Sequence, residues 1–409
     1  MNDSLQRHHR AATAAGAFAL VFAVTACQSV QSPAPSEPTA EPVIAFDADA
    51  LASTFQQAAE DMRVPGAMLV VRTPQGELVE SYGATELDGD RAPSLDDHIR
   101  IGSVTKTMVG TVILQLVQEG KLGLDDPISD YRPDVPGGEE ITIEQLLSMR
   151  SGLYNYVLDL ELSRTMDEAP QTAWEPEELV AIGLGHPVSF APGAQWEYSN
   201  TNTALLGLVA EKLEGRPLAE ILTERLFEPL GMDDTSFPAI TDGTMPEPFA
   251  RGYAFGTNVE TVESNELSQT VQDGWLAGTL KPMDQTDLNP SWGWAAGAGI
   301  STAADLMLWG EALTDGSLLD PEHQAHRLTN LGATSDQPAA PLYGNAIATF
   351  GSLYGHTGEL PGYNTFVGSD PENEVVLVLW ANLAPLPDGR DPAATMAKIL
   401  IEQLYPQGE

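Results

Sequence analysis

The chain has 409 residues, 42% of them apolar, which is enough for one large domain or two ordinary ones and excludes disorder for most of its length. Its 59 acidic residues against 19 basic ones give a formal charge of −40, which repels a polyanion over most of the surface and argues against a nucleic-acid partner. The acidity is spread along the chain rather than gathered in a tail, so it describes a solvated surface and names no specific partner.

The first 26 residues have the three-part build of a signal peptide: Arg7 and Arg10, a short apolar run, and small residues in "VTAC". The run is shorter than the roughly 20 residues of a membrane-spanning helix, so cleavage is expected rather than retention as an anchor. The ending resembles the bacterial lipobox, in which the cysteine is lipidated. Cys27 is the only cysteine, which leaves no intrachain disulfide to form. Residues 27–46, rich in Pro, Ser and Glu, are expected to form a disordered tether. The mature protein is thus expected to be extracytoplasmic, held at the membrane through a lipid on Cys27, with plain secretion as the alternative.

A catalytic domain is expected over residues 47–405. It opens with a helix over "DALASTFQQAAEDM" and a hairpin of "GAMLVVRT" and "ELVESYGA" around "PQG". Apolar residues from Val104 to Val117 define one broad helical face stopped by Gly120. Helical patterns follow in "TIEQLLSMRSGL", "PEELVAIGLG", "TALLGLVAEKLEG" and "LAEILTERLFEPLGM". Residues 255–291 lack periodicity and are expected to form a functional loop or a disordered insert. A second hairpin, "YNTFVGS" and "EVVLVLWAN" around "DPEN", precedes a closing helix in "DPAATMAKILIEQLY". The expected fold class is α/β of the α+β kind: an antiparallel β-sheet built from both termini and flanked by helices, with an inserted mostly helical subdomain. The sheet part is placed at about 47–100 and 292–405, and the helical part at about 101–291.

Ser103 and Lys106 stand three residues apart at the start of the helix after residue 102, so their side chains share a face and the amine can reach the hydroxyl. A Ser–Lys pair is a recognised nucleophile with its activating base. Such spacing arises by chance about 0.3 times in a chain of this composition, so the pair alone is also compatible with a capped helix carrying a solvated lysine.

Ser103-Val104-Thr105-Lys106 resembles the S-x-x-K signature of the serine β-lactamases and penicillin-binding proteins. Tyr198-Ser199-Asn200 resembles the Y-x-N element of class C β-lactamases and related D-alanyl-D-alanine carboxypeptidases. His356-Thr357-Gly358 resembles the third element, K-T-G in many members and H-T-G in some carboxypeptidases. The three stand in the expected order, and the resemblance extends over roughly residues 50–405. It implies a β-lactamase/transpeptidase-like fold and acyl transfer in two steps. Ser103 is the nucleophile, Lys106 and Tyr198 move protons, and Asn200 orients the substrate amide. His356, Thr357 and Gly358 line the opposite wall and help hold a carboxylate. The backbone N–H groups of Ser103 and Glu359 form the oxyanion hole.

The identity of the base stays open at this point. A lysine at its ordinary pKa of about 10.4 needs about 4 kcal/mol of preference for the neutral form to be half uncharged near pH 7.4. Burial supplies such a preference, and the alternative is a charged Lys106 that makes Tyr198 a phenolate. His356 in place of Lys weakens a β-lactamase assignment and favours a D-alanyl-D-alanine carboxypeptidase acting on cell-wall peptides. Retention of Thr357 counts against an esterase. A β-lactamase or esterase remains the enzymatic alternative, and a catalytically silent penicillin-binding sensor the non-enzymatic one. A peptide or β-lactam is the expected ligand of a monomer, with no cofactor and no metal. His323 and His326 read as a solvated helix face, and "ELDGDR" as a turn rather than a calcium loop.

Overall fold

The computed structural model describes residues 44–337 and 340–406. The expected signal peptide, Cys27 and most of the tether therefore lie outside the described residues. Among the described residues no helix is long and apolar enough to cross a membrane.

Eight antiparallel strands form the main sheet: β1 (Gly66–Thr73), β2 (Gly76–Gly83), β3 (Gly332–Ala333), β4 (Leu342–Gly344), β5 (Ile347–Phe350), β6 (Leu353–Leu360), β7 (Tyr363–Asp370) and β8 (Val375–Ala381). Their order is β2-β1-β8-β7-β6-β5-β4-β3, so the N-terminal hairpin joins the C-terminal strands through the β1–β8 pair, with Leu69 opposite Leu379. The α+β architecture and the sheet built from both ends are as the sequence implied.

Both faces of the sheet are covered, and this explains why β8 reads as an unbroken apolar run rather than as an alternation. On one face Leu69, Val71, Leu377 and Leu379 pack with Leu51 and Phe55 of helix Ala48–Asp61 and with Met396 and Leu400 of helix Pro392–Leu404. On the other, Met68, Val70, Val376 and Val378 pack with Trp309 and Leu313 of helix Ala303–Thr314 and onward into the helical region. Helix Ala48–Asp61 starts where the Asp47 carboxylate accepts from the Ala50 N–H at 3.0 Å, a side-chain cap contributing about 1 kcal/mol. Helix Thr105–Gln118 is buried on almost every side, since eleven of its residues from Thr105 to Leu116 are inaccessible.

Residues 255–291 depart from expectation. They carry the helices Asn258–Glu263 and Gln269–Leu276, and a strand pair joins Tyr253–Ala254 to Met283–Asp284. The Asp167 carboxylate accepts from the Asn258 N–H and Nδ2, both at 2.7 Å, and from the Val259 N–H at 3.1 Å. Trp275 is 3% exposed and packs in the same core as Phe55 and Leu379. Helices this short get their stability from such tertiary contacts rather than from periodicity, which is why the pattern is silent.

Candidate active site

Ser103 sits in a single 3-10 turn, Gly102–Val104, that runs directly into helix Thr105–Gln118. Lys106, one turn on, is 0% exposed, and its Nζ lies 2.9 Å from Ser103 Oγ. The other two contacts of the amine are acceptors: Asn200 Oδ1 at 2.6 Å and the Ala296 carbonyl oxygen at 2.6 Å. Burial alone drives the Lys106 pKa well below the ordinary lysine value, because the charged form loses its hydration. A neutral amine has two N–H groups and one lone pair. Asn200 and Ala296 take the two N–H groups, and the lone pair is left facing Ser103.

Asn200 opens helix Asn200–Glu214 and is itself fixed by Asn155, whose Oδ1 accepts from the Asn200 N–H at 2.9 Å and from its Nδ2 at 3.1 Å. The amide oxygen of Asn200 is therefore committed to Lys106, and one N–H of its amide remains for a substrate. Sequence reasoning missed Asn155, since an asparagine in "SGLYNY" has ordinary turn composition and only the fold brings it to Asn200. Tyr198 lies just ahead of the same helix, half-buried, with Lys106 Nζ 4.9 Å from its ring centroid. Burial pushes the phenol well above its ordinary pKa, the Ser103 hydroxyl pulls it back, and the Glu359 charge raises it further. The phenol is thus held protonated.

The third motif lies on β6, which docks edgewise on the nucleophile turn. That approach has no room for side chains. A Cβ on Gly358 would fall 1.9 Å from the Ile101 carbonyl oxygen, and one on Gly102, whose φ is +50°, would fall 2.5 Å from the Glu359 amide nitrogen. Two glycines thus bring the Ser103 and Glu359 amides onto one side of the cleft, the arrangement an oxyanion site needs.

His356 lies on β6 beside Tyr343. It is 4% exposed, its Nδ1 lies 2.5 Å from the Thr357 carbonyl oxygen, and its Nε2 lies 3.2 Å from the Tyr343 hydroxyl. The carbonyl can only accept, so Nδ1 carries the proton and Nε2 accepts from Tyr343. Burial, with the nearby Lys106 second, lowers its pKa to about 3, and the ring is neutral with both nitrogens engaged. Thr357 lies on the strand face shared with Glu359, and neither His356 nor Thr357 lines the cavity in front of Ser103. A buried neutral imidazole offers no positive charge to a substrate carboxylate.

That cavity measures about 570 Å³, and Ser103, Tyr198, Asn200, Asn155 and Trp292 form its reactive end. Asn258, Thr261, Val262 and Asn265 line it from the segment 255–291, while Trp275 and Trp294 are buried in the core. Among the described residues the charged groups of the lining are Glu359 and Asp391, both acidic. No cluster of three or more metal-ligating side chains occurs among the described residues. His323 and His326 lie on helix Pro321–Thr329, His323 beside Asp320 at 2.8 Å and His326 against Glu144 of helix Ile143–Leu147 at 3.1 Å.

A serine at a buried helix start, a lysine against it, and an antiparallel sheet closing over both define a β-lactamase/transpeptidase-like protein, a class whose members are serine hydrolases. The chain belongs to the beta-lactamase family, whose model matches residues 51–401. It is 32% identical over 237 residues to esterase EstB of Burkholderia gladioli, covering 54% of this chain and 58% of the esterase, so the match spans little more than half of that relative. Among solved structures it resembles a D-stereospecific amidohydrolase from Streptomyces sp., with TM-score 0.73 and 30% identity over 89% of this chain and 100% of that one. It also resembles the D-amino acid amidase of Ochrobactrum anthropi SV3 complexed with D-phenylalanine, with TM-score 0.71 and 27% identity over 88% of this chain and 100% of that one.

Proposed function

We propose that the protein is a serine hydrolase that forms an acyl-enzyme on Ser103 and acts on small amides or esters lacking a free carboxylate. The observation that carries this is the Lys106 amine, 2.9 Å from Ser103 Oγ and otherwise held by two acceptors. Ser103 Oγ gives its proton to the lysine lone pair as it bonds to the substrate carbonyl carbon. The developing oxyanion is held by the amides of Ser103 and Glu359. The lysine's proton then passes through the Tyr198 phenol to the leaving amine or alcohol as the carbon–leaving-group bond breaks. Water, activated by the same amine, attacks the acyl carbon and restores Ser103.

The cavity argues for the substrate class. A carboxypeptidase must hold a terminal carboxylate, and the charged lining here is acidic. D-Alanyl-D-alanine carboxypeptidase activity, supported by the His356-Thr357-Gly358 motif, therefore stands second to an amidase or esterase. The names of the Streptomyces, Ochrobactrum and Burkholderia relatives agree with the first. Steady-state rates on D-alanine p-nitroanilide, p-nitrophenyl acetate, nitrocefin and a D-alanyl-D-alanine peptide test it. The anilide or the ester should lead by kcat/KM, and a leading peptide or nitrocefin would reverse the order. Attachment to a membrane through Cys27 is part of the same proposal, and Cys27→Ser should move the protein from the membrane fraction to the soluble one.

A further inference from the structure

Asp391 occupies the N-cap of helix Pro392–Leu404, yet its side chain caps nothing. Asn364 does that work instead: its Oδ1 accepts from the Ala393 N–H at 2.8 Å and the Ala394 N–H at 3.2 Å, while its Nδ2 donates to the Gly358 carbonyl at 3.1 Å. An N-cap aspartate ordinarily turns back onto its own helix. With that role filled from β7, the Asp391 carboxylate lines the catalytic cavity together with Glu359.

Glu359 itself carries one of the amides assigned to the oxyanion site, so its side chain begins two bonds from that nitrogen. Its side chain is exposed to solvent at the cavity. Neither carboxyl has an ion-pair partner among the described residues, and the neighbouring Arg390 pairs with Asp388 at 2.6 Å. Two carboxyls facing each other without a cation are unfavourable unless they share a proton or meet a positive ligand.

We propose that Glu359 and Asp391 form the specificity-determining wall of the site and select substrates that carry a protonated amine within a few atoms of the scissile carbonyl. This rests on Ser103 being the nucleophile of that cavity and narrows its substrates to cationic amides and esters. The ammonium donates to the paired carboxyls while the carbonyl oxygen points to the Ser103 and Glu359 amides, so one strand residue reads both ends of the substrate.

The test compares D-alanine p-nitroanilide with D-lactoyl p-nitroanilide, in which a hydroxyl replaces the ammonium. Wild type should favour the first by about tenfold to a hundredfold in kcat/KM, the range of a charged hydrogen bond. That ratio, whatever the absolute rates, should collapse toward one in Glu359→Gln/Asp391→Asn. An unchanged ratio in the double variant, or no preference in wild type, would overturn the proposal. Should the double variant not fold, wild type alone decides: benzylammonium should slow fluorophosphonate labelling of Ser103 at least tenfold more effectively than benzyl alcohol, and equal protection refutes the ammonium wall. Absence of any labelling in folded wild type would instead remove the serine-hydrolase reading itself, and the wall with it.

Discussion

Replacing Lys106 by Met keeps the volume and removes the amine. In the native state the amine is buried and its pKa depressed, while the unfolded chain holds its proton up to about pH 10.4. Keeping that lysine neutral at pH 7.4 costs about 4 kcal/mol relative to the unfolded chain. The variant escapes that cost but leaves the Asn200 and Ala296 oxygens without a donor, at about 1–3 kcal/mol each. The two effects nearly cancel, so the net change in stability at one pH decides nothing and its slope with pH decides everything. Between the depressed native pKa and about 10.4 the unfolded state binds one more proton than the native state, so stability rises with pH. The contribution is fully present above the unfolded pKa and is lost as pH falls through the native one. Wild type should therefore gain about 1.4 kcal/mol per pH unit over Lys106→Met in urea unfolding at pH 7.5, 8.5 and 9.5. A stability difference that stays constant over that range would mean a charged native lysine and would refute the assignment of Lys106 as the base.

Gly358→Ala should lower kcat at least about a hundredfold, since its Cβ at 1.9 Å from the Ile101 oxygen must push β6 off the nucleophile turn, and normal turnover would discredit the oxyanion assignment. His356, buried and lowered to about 3 from an ordinary value of about 6.5, contributes stability that is present above pH 6.5 and lost as pH falls to about 3. His356→Asn should therefore flatten the acid limb of a stability profile over that window. Trp275→Ala should cost about 3–5 kcal/mol in denaturant unfolding, whereas a segment merely draped over the site would lose almost nothing.

The strands legible in the sequence were those of the two hairpins, β1 with β2 and β7 with β8, and the sheet built from both ends of the chain followed from there. Strand β6 was not legible as a strand. Gly355 and Gly358, which let it approach Val367 and Ile101, are residues that weaken strand patterns. Ser103 and Lys106 were legible because one helical turn joins them. Asn155 reaches Asn200 across 45 residues, and Asp391 becomes available only because Asn364 caps its helix, so neither leaves a local trace. The neutral state of His356 depends on burial and on Tyr343, and a motif letter carries neither. The base, open at the level of sequence, is favoured as Lys106 by the same kind of fact: burial lowers the amine and raises the Tyr198 phenol.

The most direct measurement is rapid acid quench of the protein with p-nitrophenyl acetate, followed by intact and peptide mass spectrometry. One acetyl group should appear on the peptide containing Ser103, build up faster than it decays, and be absent from Ser103→Ala together with turnover. An acetyl group on any other residue, or turnover that survives Ser103→Ala, would contradict the acyl-enzyme at the centre of the mechanism.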